Sequence, residues 1–185
     1  RRSSDLGATM ERLRRQLGTE RVVRVMPNTP AQIGHGMSVW TATAAVDERG
    51  RAKARTILEA LGEQEYVEHE EEIDMATALS GTGPAYVFLF MEALIDAGVH
   101  MGFSRRVAAR LVHQTALGAV EFAVEAPEHV ARLRNQVTSP GGTTAEALYE
   151  LEKGRLRTVL SDAVWAAYRR TLELGGRPLN RNGHG

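Results

Sequence analysis

Residues Ala85 to Met101 constrain this chain more than any other stretch. Wound into a helix, Val87, Phe88, Leu89, Phe90, Met91, Leu94, Ile95 and Val99 leave no polar stripe wide enough to face water. A helix apolar on nearly every side has to be covered on nearly every side. Glu92 and Asp96 interrupt the run, which is read as too short to cross a bilayer, so protein must do the covering. The helical remainder of the chain is small for that task, which points to a partner subunit and a dimer; the central helix of a monomeric bundle is the competing reading. Just upstream, Ser80-Gly81-Thr82-Gly83 breaks the apolar segment Met75 to Leu79. Pro84 suits the first helical position, where its missing N–H costs no hydrogen bond.

Before residue 72 the pattern differs. The spacing of Leu6, Met10, Leu13 and Leu17 predicts a short amphipathic helix over 5–17, with an Asp or Ser cap and Gly18 at its end. Val22–Met26 and Met37–Thr43 are β-rich runs, separated by the loop Asn28-Thr29-Pro30. Asp47 caps a helix to Leu61 that Gly62 closes, and Tyr66-Val67 is a last short strand. Strand and helix alternate as in a parallel or mixed α/β layer. Glu70-Glu71-Glu72 reads as a solvated linker. The fold class expected is therefore α/β followed by all-α. Residues 1–72 form an incomplete α/β domain and 73–176 a helical domain, with a disordered tail at 177–185.

In the helical part Ser104 caps a helix from Arg105 to Glu125, rich in small residues, and Pro127 starts a short one reaching Gln136. The loop Thr138-Ser139-Pro140-Gly141-Gly142-Thr143-Thr144 follows. Pro140 forbids a continuous helix here, and the two glycines leave the backbone bare. Thr143 or Thr144 is a natural cap for the next helix, and Thr143 and Glu146 have the spacing of a capping box. Unpaired N–H groups at such a helix start, reached over glycine, suit a small anion such as a carboxylate. A plain helix-to-helix turn is the competing reading of the same residues. His113 sits among apolar neighbours without a second ligand at metal-binding spacing, and reads as a packing residue.

Three blocks carry a resemblance: Val22 to Pro30 (VVRVMPNTP), Asp74 to Tyr86 (DMATALSGTGPAY) and Arg132 to Lys153 around the glycine loop. In this order they resemble the pyrroline-5-carboxylate reductase family. The resemblance implies a Rossmann-like domain followed by a helical dimerisation and substrate domain. It implies hydride transfer from NADPH or NADH to the cyclic imine 1-pyrroline-5-carboxylate, giving L-proline in the last step of proline biosynthesis. Carried over residue by residue, the backbone at Gly142 and Thr143 would hold the substrate carboxylate. The Thr144 hydroxyl would bond the ring nitrogen and act as the catalytic residue, and Gly141 and Ser139, the latter shaping the loop, would belong to the same substrate-binding set. Asn28, Thr29 and Gln136 would contact the cofactor. A homodimer, with higher assembly of dimers left open, and a cytoplasmic setting are also implied. Where the family has a glutamate ahead of the short helix, this chain has Pro127 between Glu125 and Glu128.

The chain departs from the family in having no G-x-G-x-x-G turn, which is where a dinucleotide's pyrophosphate would bind. Gly81-Thr82-Gly83 continues as Pro-Ala-Tyr and does not fit. As given, the 185 residues are therefore expected to be the C-terminal part of a reductase, lacking the N-terminal half of its cofactor domain. Other classes remain open at this point. One is a non-catalytic dimerisation relic, and another is a different NAD(P)-dependent dehydrogenase with a helical C-terminal domain. The latter would need a lysine in an apolar setting, and the only lysines are Lys53 and Lys153. The 23 basic and 23 acidic residues cancel without a basic patch, which points away from nucleic acid and membrane surfaces. Six scattered histidines and no cysteine give no metal site.

Overall fold

The computed structural model of the chain describes residues 7–178. Elements follow in the order α1 (Met10–Leu17), β1 (Val23–Met26), β2 (Gly36–Ala42), α2 (Glu48–Glu59), β3 (Gly62–Tyr66), α3 (Glu70–Ala76), α4 (Gly83–His100), α5 (Arg105–Glu125), α6 (Val130–Gln136), α7 (Thr143–Lys153) and α8 (Leu156–Leu174). A 3-10 turn, Thr29–Ile33, lies between β1 and β2, and a π turn, Thr77–Gly81, between α3 and α4. The α/β-then-helical class expected from the sequence is the one observed. Contacts group the chain into two compact units, one up to Pro84 together with Ser161 onward, the other Ala85–Leu160.

The first unit holds a three-stranded mixed sheet in the order β1-β2-β3. β1 runs antiparallel to β2, and β2 parallel to β3. Central β2 supplies the core: Trp40 is fully buried, donates from Nε1 to Gln64 Oε1 at 2.6 Å, and meets the Tyr66 ring edge-on with centroids 4.8 Å apart. Gly62 was expected to stop α2. It instead opens β3, paired with Gly36, at φ +132°, and a Cβ on it would run into the Gly36 backbone. A side chain at 62 would therefore block the pairing, and one at 36 would run into Ala31 and the Leu61 carbonyl. At the other end α1 begins at Met10, later than expected, and its cap is the Thr9 hydroxyl, which accepts from Arg12 N–H. Asp5, the expected cap, lies outside the described residues.

Glu70-Glu71-Glu72 is not a linker. These residues form the first turn of α3, where acidic side chains complement the helix dipole, and Glu72 accepts from the His69 N–H at 3.1 Å. Glu70 and Asp74 lie one turn apart and face the buried Arg24 of β1. Arg24 donates to Glu70 Oε1 at 2.8 Å and to Asp74 Oδ1 at 2.9 Å. From beyond α8, Arg177 sets Nη2 2.6 Å from Asp74 Oδ2, an ion pair too poorly aligned to be a hydrogen bond. Arg177 was expected to open the disordered tail. It is anchored here, with its N–H on the Leu172 carbonyl at 2.9 Å. The remainder of the expected tail, 179–185, lies outside the described residues.

The π turn does not end the helix. Helix thus continues from Glu70 to His100, 31 residues, and is long and apolar enough by length and composition to cross a membrane. The sequence reading judged only the stretch from Ala85 and so undercounted it.

The second unit has almost no interior. Among residues 85–160 only Gly98, Ala108 and Leu133 are buried, and Gly98 meets Ala108 where α4 and α5 touch. Phe88, Leu89, Phe90, Leu94, Leu111, Leu117, Val120 and Phe122 are all exposed. His113, expected to be packed, is exposed and lines a cleft of about 550 Å³ with Phe88, Glu92 and Arg105.

Candidate functional site

α6 ends at Gln136, and Thr138 closes it by donating its hydroxyl to the Arg134 carbonyl at 2.7 Å. The chain then turns through Ser139–Gly142, with Gly142 N–H on the Ser139 carbonyl at 3.1 Å. Gly141 carries the turn at φ +68°, a left-handed conformation that glycine adopts without strain. Gly142 lies so close to Ser139 that a Cβ would run into Ser139 Oγ and stand 3.2 Å from its carbonyl oxygen. A side chain at 142 would force Ser139 Oγ to turn away, whereas the conformational demand for glycine falls on Gly141 alone.

The start of α7 differs from expectation. Its N-cap residue is Gly142, at φ −83° and ψ 167°, with no side-chain cap. Neither Thr143 nor Thr144 caps the helix, and no capping box forms with Glu146. The Gly142 carbonyl accepts the first helical bonds, from Ala145 at 3.0 Å and Glu146 at 3.3 Å. The N–H groups of Thr143 and Thr144 consequently have no backbone acceptor, as the first turn of any helix dictates. Their hydroxyls, and that of Ser139, make no hydrogen bond within the described protein. Thr143 is exposed and Thr144 half-buried. Several uncommitted donors thus stand together over a bare glycine backbone at the positive end of an 11-residue helix, an arrangement suited to a small anion.

Gln136, one turn before this loop, is exposed and its amide is uncommitted. In the first unit the other predicted contacts sit past the end of β1. Thr29 opens the 3-10 turn and is exposed. Asn28 is half-buried, donates from Nδ2 to the Ser80 carbonyl at 3.1 Å and accepts from Met37 N–H at 2.9 Å. Its side chain is largely committed to the fold, which the sequence did not reveal. Both lysines are exposed, and Lys153 pairs with Glu150 at 3.2 Å. Neither is in the apolar setting that a catalytic lysine of a hydroxy-acid dehydrogenase would need. Among the described residues no group of His, Asp and Glu could hold a metal ion.

Comparison with known proteins bears on this arrangement. A family model described as pyrroline-5-carboxylate reductase dimerisation matches residues 70–174. The chain is 43% identical over 169 residues to the pyrroline-5-carboxylate reductase of Synechocystis sp., covering 91% of this chain and 63% of that protein. It is 42% identical to the enzyme of Arabidopsis thaliana, covering 91% of this chain and 60% of that one. A Plasmodium falciparum pyrroline carboxylate reductase, solved with NADP bound, superposes with a TM-score of 0.87 at 38% identity, over 91% of this chain and 68% of the other. The Coxiella burnetii pyrroline-5-carboxylate reductase gives 0.85 at 42%, over 90% and 62%. The chain spans about 60% of the length of the relatives it matches.

Proposed function

This chain belongs to the pyrroline-5-carboxylate reductase family, and we propose that it works as the helical and distal cofactor-domain part of an enzyme reducing 1-pyrroline-5-carboxylate to L-proline. The observation that carries the reading is the set of uncommitted donors at the start of α7. The N–H groups of Thr143 and Thr144, over Gly141 and Gly142, bind the substrate carboxylate. Once carboxylate is fixed there, the Thr144 hydroxyl is placed to bond the ring nitrogen. Reduction adds hydride to the imine carbon, and the C=N electron pair moves onto the nitrogen. A group that holds the nitrogen protonated and oriented is therefore what the protein must supply. The reduced nicotinamide supplies the hydride when bound. Thr29, exposed and without a hydrogen bond among the described residues, fits as a contact to it, and Gln136 is proposed to reach the cofactor of the partner subunit, whereas no G-x-G-x-x-G turn for its pyrophosphate occurs in these residues. The same reading sets the reaction in the cytoplasm.

The test is consumption of NADPH dependent on pyrroline-5-carboxylate, measured on the whole translated product and on the 185-residue chain alone. We expect turnover from the former and none from the latter. A product that includes a G-x-G-x-x-G turn and still fails to turn over would refute the assignment.

The partner proposed for the apolar face of α4 and α5 is a second copy of the chain. Three buried residues between 85 and 160 cannot make a core, so the dimer supplies one and monomer separation is coupled to unfolding. Sedimentation should show no folded monomer at low micromolar concentration. Phe88→Asp, which places a charge on the exposed apolar face, should abolish assembly and native helicity together. A stable, folded monomer of either protein would overturn this.

A further inference from the structure

In a regular helix the Ser80 carbonyl would accept from the N–H four residues on, but residue 84 is proline and has none. The chain passes this point through the π turn Thr77–Gly81. The donors of the turn go elsewhere, since Thr82 gives both its N–H and its hydroxyl to the Thr77 carbonyl, each at 2.9 Å. Asn28 Nδ2 takes the acceptor that remains at Ser80, at 3.1 Å. The other end of the same amide, Oδ1, holds the N–H of Met37 near the start of β2 at 2.9 Å. One half-buried side chain thus ties the turn after β1 to the next strand and to the approach of α4. The arrangement joins two separated sequence blocks, Pro27-Asn28-Thr29-Pro30 and Ser80-Gly81-Thr82-Gly83-Pro84, through a carbonyl that receives no N–H from position 84.

We infer that Asn28 is a positioning residue: docked on the acceptor Pro84 leaves free, it fixes the shape in which the turn from Pro27 to Gly34 meets the cofactor. Both of its bonds are internal, which leaves one amide hydrogen and one Oδ1 lone pair for a ligand. The exposed Thr29 hydroxyl, by contrast, has no partner in the described protein. Contact then falls to Thr29 and the turn backbone, and Asn28 acts through them. This rests on the reading of that turn as a cofactor surface.

Two substitutions separate the parts. Asn28→Asp keeps the acceptor for Met37 but loses the donor to Ser80 and sets a carboxylate against its carbonyl. Pro84→Ala restores an N–H that competes for Ser80 and leaves Asn28 untouched. The readout on the 185-residue chain is hydrogen exchange of Ala31 and His35, whose N–H groups bond the Asn28 and Pro30 carbonyls within the turn. Each variant should speed exchange about tenfold, the loss of roughly one hydrogen bond. The double variant should be no faster than Asn28→Asp. Unchanged exchange in both single variants overturns the clamp. In the whole translated product Asn28→Asp should raise the cofactor KM about tenfold, with kcat and the KM of the imine nearly unchanged. Faster exchange with an unaltered cofactor KM overturns the positioning role. A wild-type product without imine reductase activity removes the cofactor half of the inference together with the functional reading, and exchange still decides the clamp.

Discussion

Asp74→Ala should destabilise the α/β unit by about 3–5 kcal/mol, the cost of removing one partner from a buried ion pair. Asp74 is 1% exposed and is approached by two guanidinium groups, Arg24 at 2.9 Å and Arg177 at 2.6 Å. Without its carboxylate Arg24 stays buried with only Glu70, which is partly solvated, and Arg177 loses its closest anion. A loss of this size is a large share of the roughly 5–15 kcal/mol that holds a typical domain together. Urea unfolding followed by tryptophan fluorescence measures it, because Trp40 is fully buried whereas Trp165, the second tryptophan, is already exposed in the folded state. Glu63→Ala, on an exposed strand position, is the control and should move stability by less than about 0.5 kcal/mol. Arg24→Met combined with Asp74→Leu should recover part of the loss, since an apolar pair carries no desolvation cost. An Asp74→Ala protein within about 1 kcal/mol of wild type would mean that water reaches the site and the charges are not held in a dry interior.

None of that cluster was legible in the sequence. Arg24, Glu70, Asp74 and Arg177 come from three separate parts of the chain, and charges brought together by tertiary folding leave no periodic trace. Glu70 even looked like part of a solvated run, because its neighbours Glu71 and Glu72 are acidic too. What periodicity could report, it did. The apolar winding of Ala85–Met101 implied a helix that needs a partner surface, and the structure leaves the large residues of that helix exposed. The alternation before residue 72 implied a parallel or mixed α/β layer, and the sheet is mixed. The misreadings fell where one residue type serves two purposes. Gly62 reads as a helix stop, because a glycine that ends a helix and one that lets two strands touch look alike in sequence. Threonine before an apolar run suggests a cap, yet here Gly142 occupies the cap position and the two threonines begin the helix. That second misreading matters for function, because a threonine that caps its own helix has its hydroxyl occupied.

Thr144→Ala should therefore lower kcat/KM for pyrroline-5-carboxylate without the stability loss that removing a cap would bring. The structure gives the Thr144 hydroxyl no internal partner and assigns the cap position to Gly142. If the hydroxyl bonds the imine nitrogen as the electron pair moves onto it, the variant loses one hydrogen bond to a charged group, about 1.5–3 kcal/mol. That corresponds to a fall of about 10- to 100-fold in kcat/KM. Cofactor binding should change little if the hydroxyl serves the substrate, as proposed. Thr144→Ser retains the hydroxyl and should keep most of the activity. Thr138→Ala gives the opposite pattern: its hydroxyl closes α6 on the Arg134 carbonyl at 2.7 Å, so about 1 kcal/mol of stability should go with kcat/KM nearly intact. Steady-state kinetics on folded, concentration-matched variants of the whole translated product, beside their melting temperatures, tell the two roles apart. An unchanged kcat/KM for Thr144→Ala would remove the hydroxyl from the chemistry. Carboxylate binding by the Thr143 and Thr144 N–H groups would then be the whole of what this loop contributes.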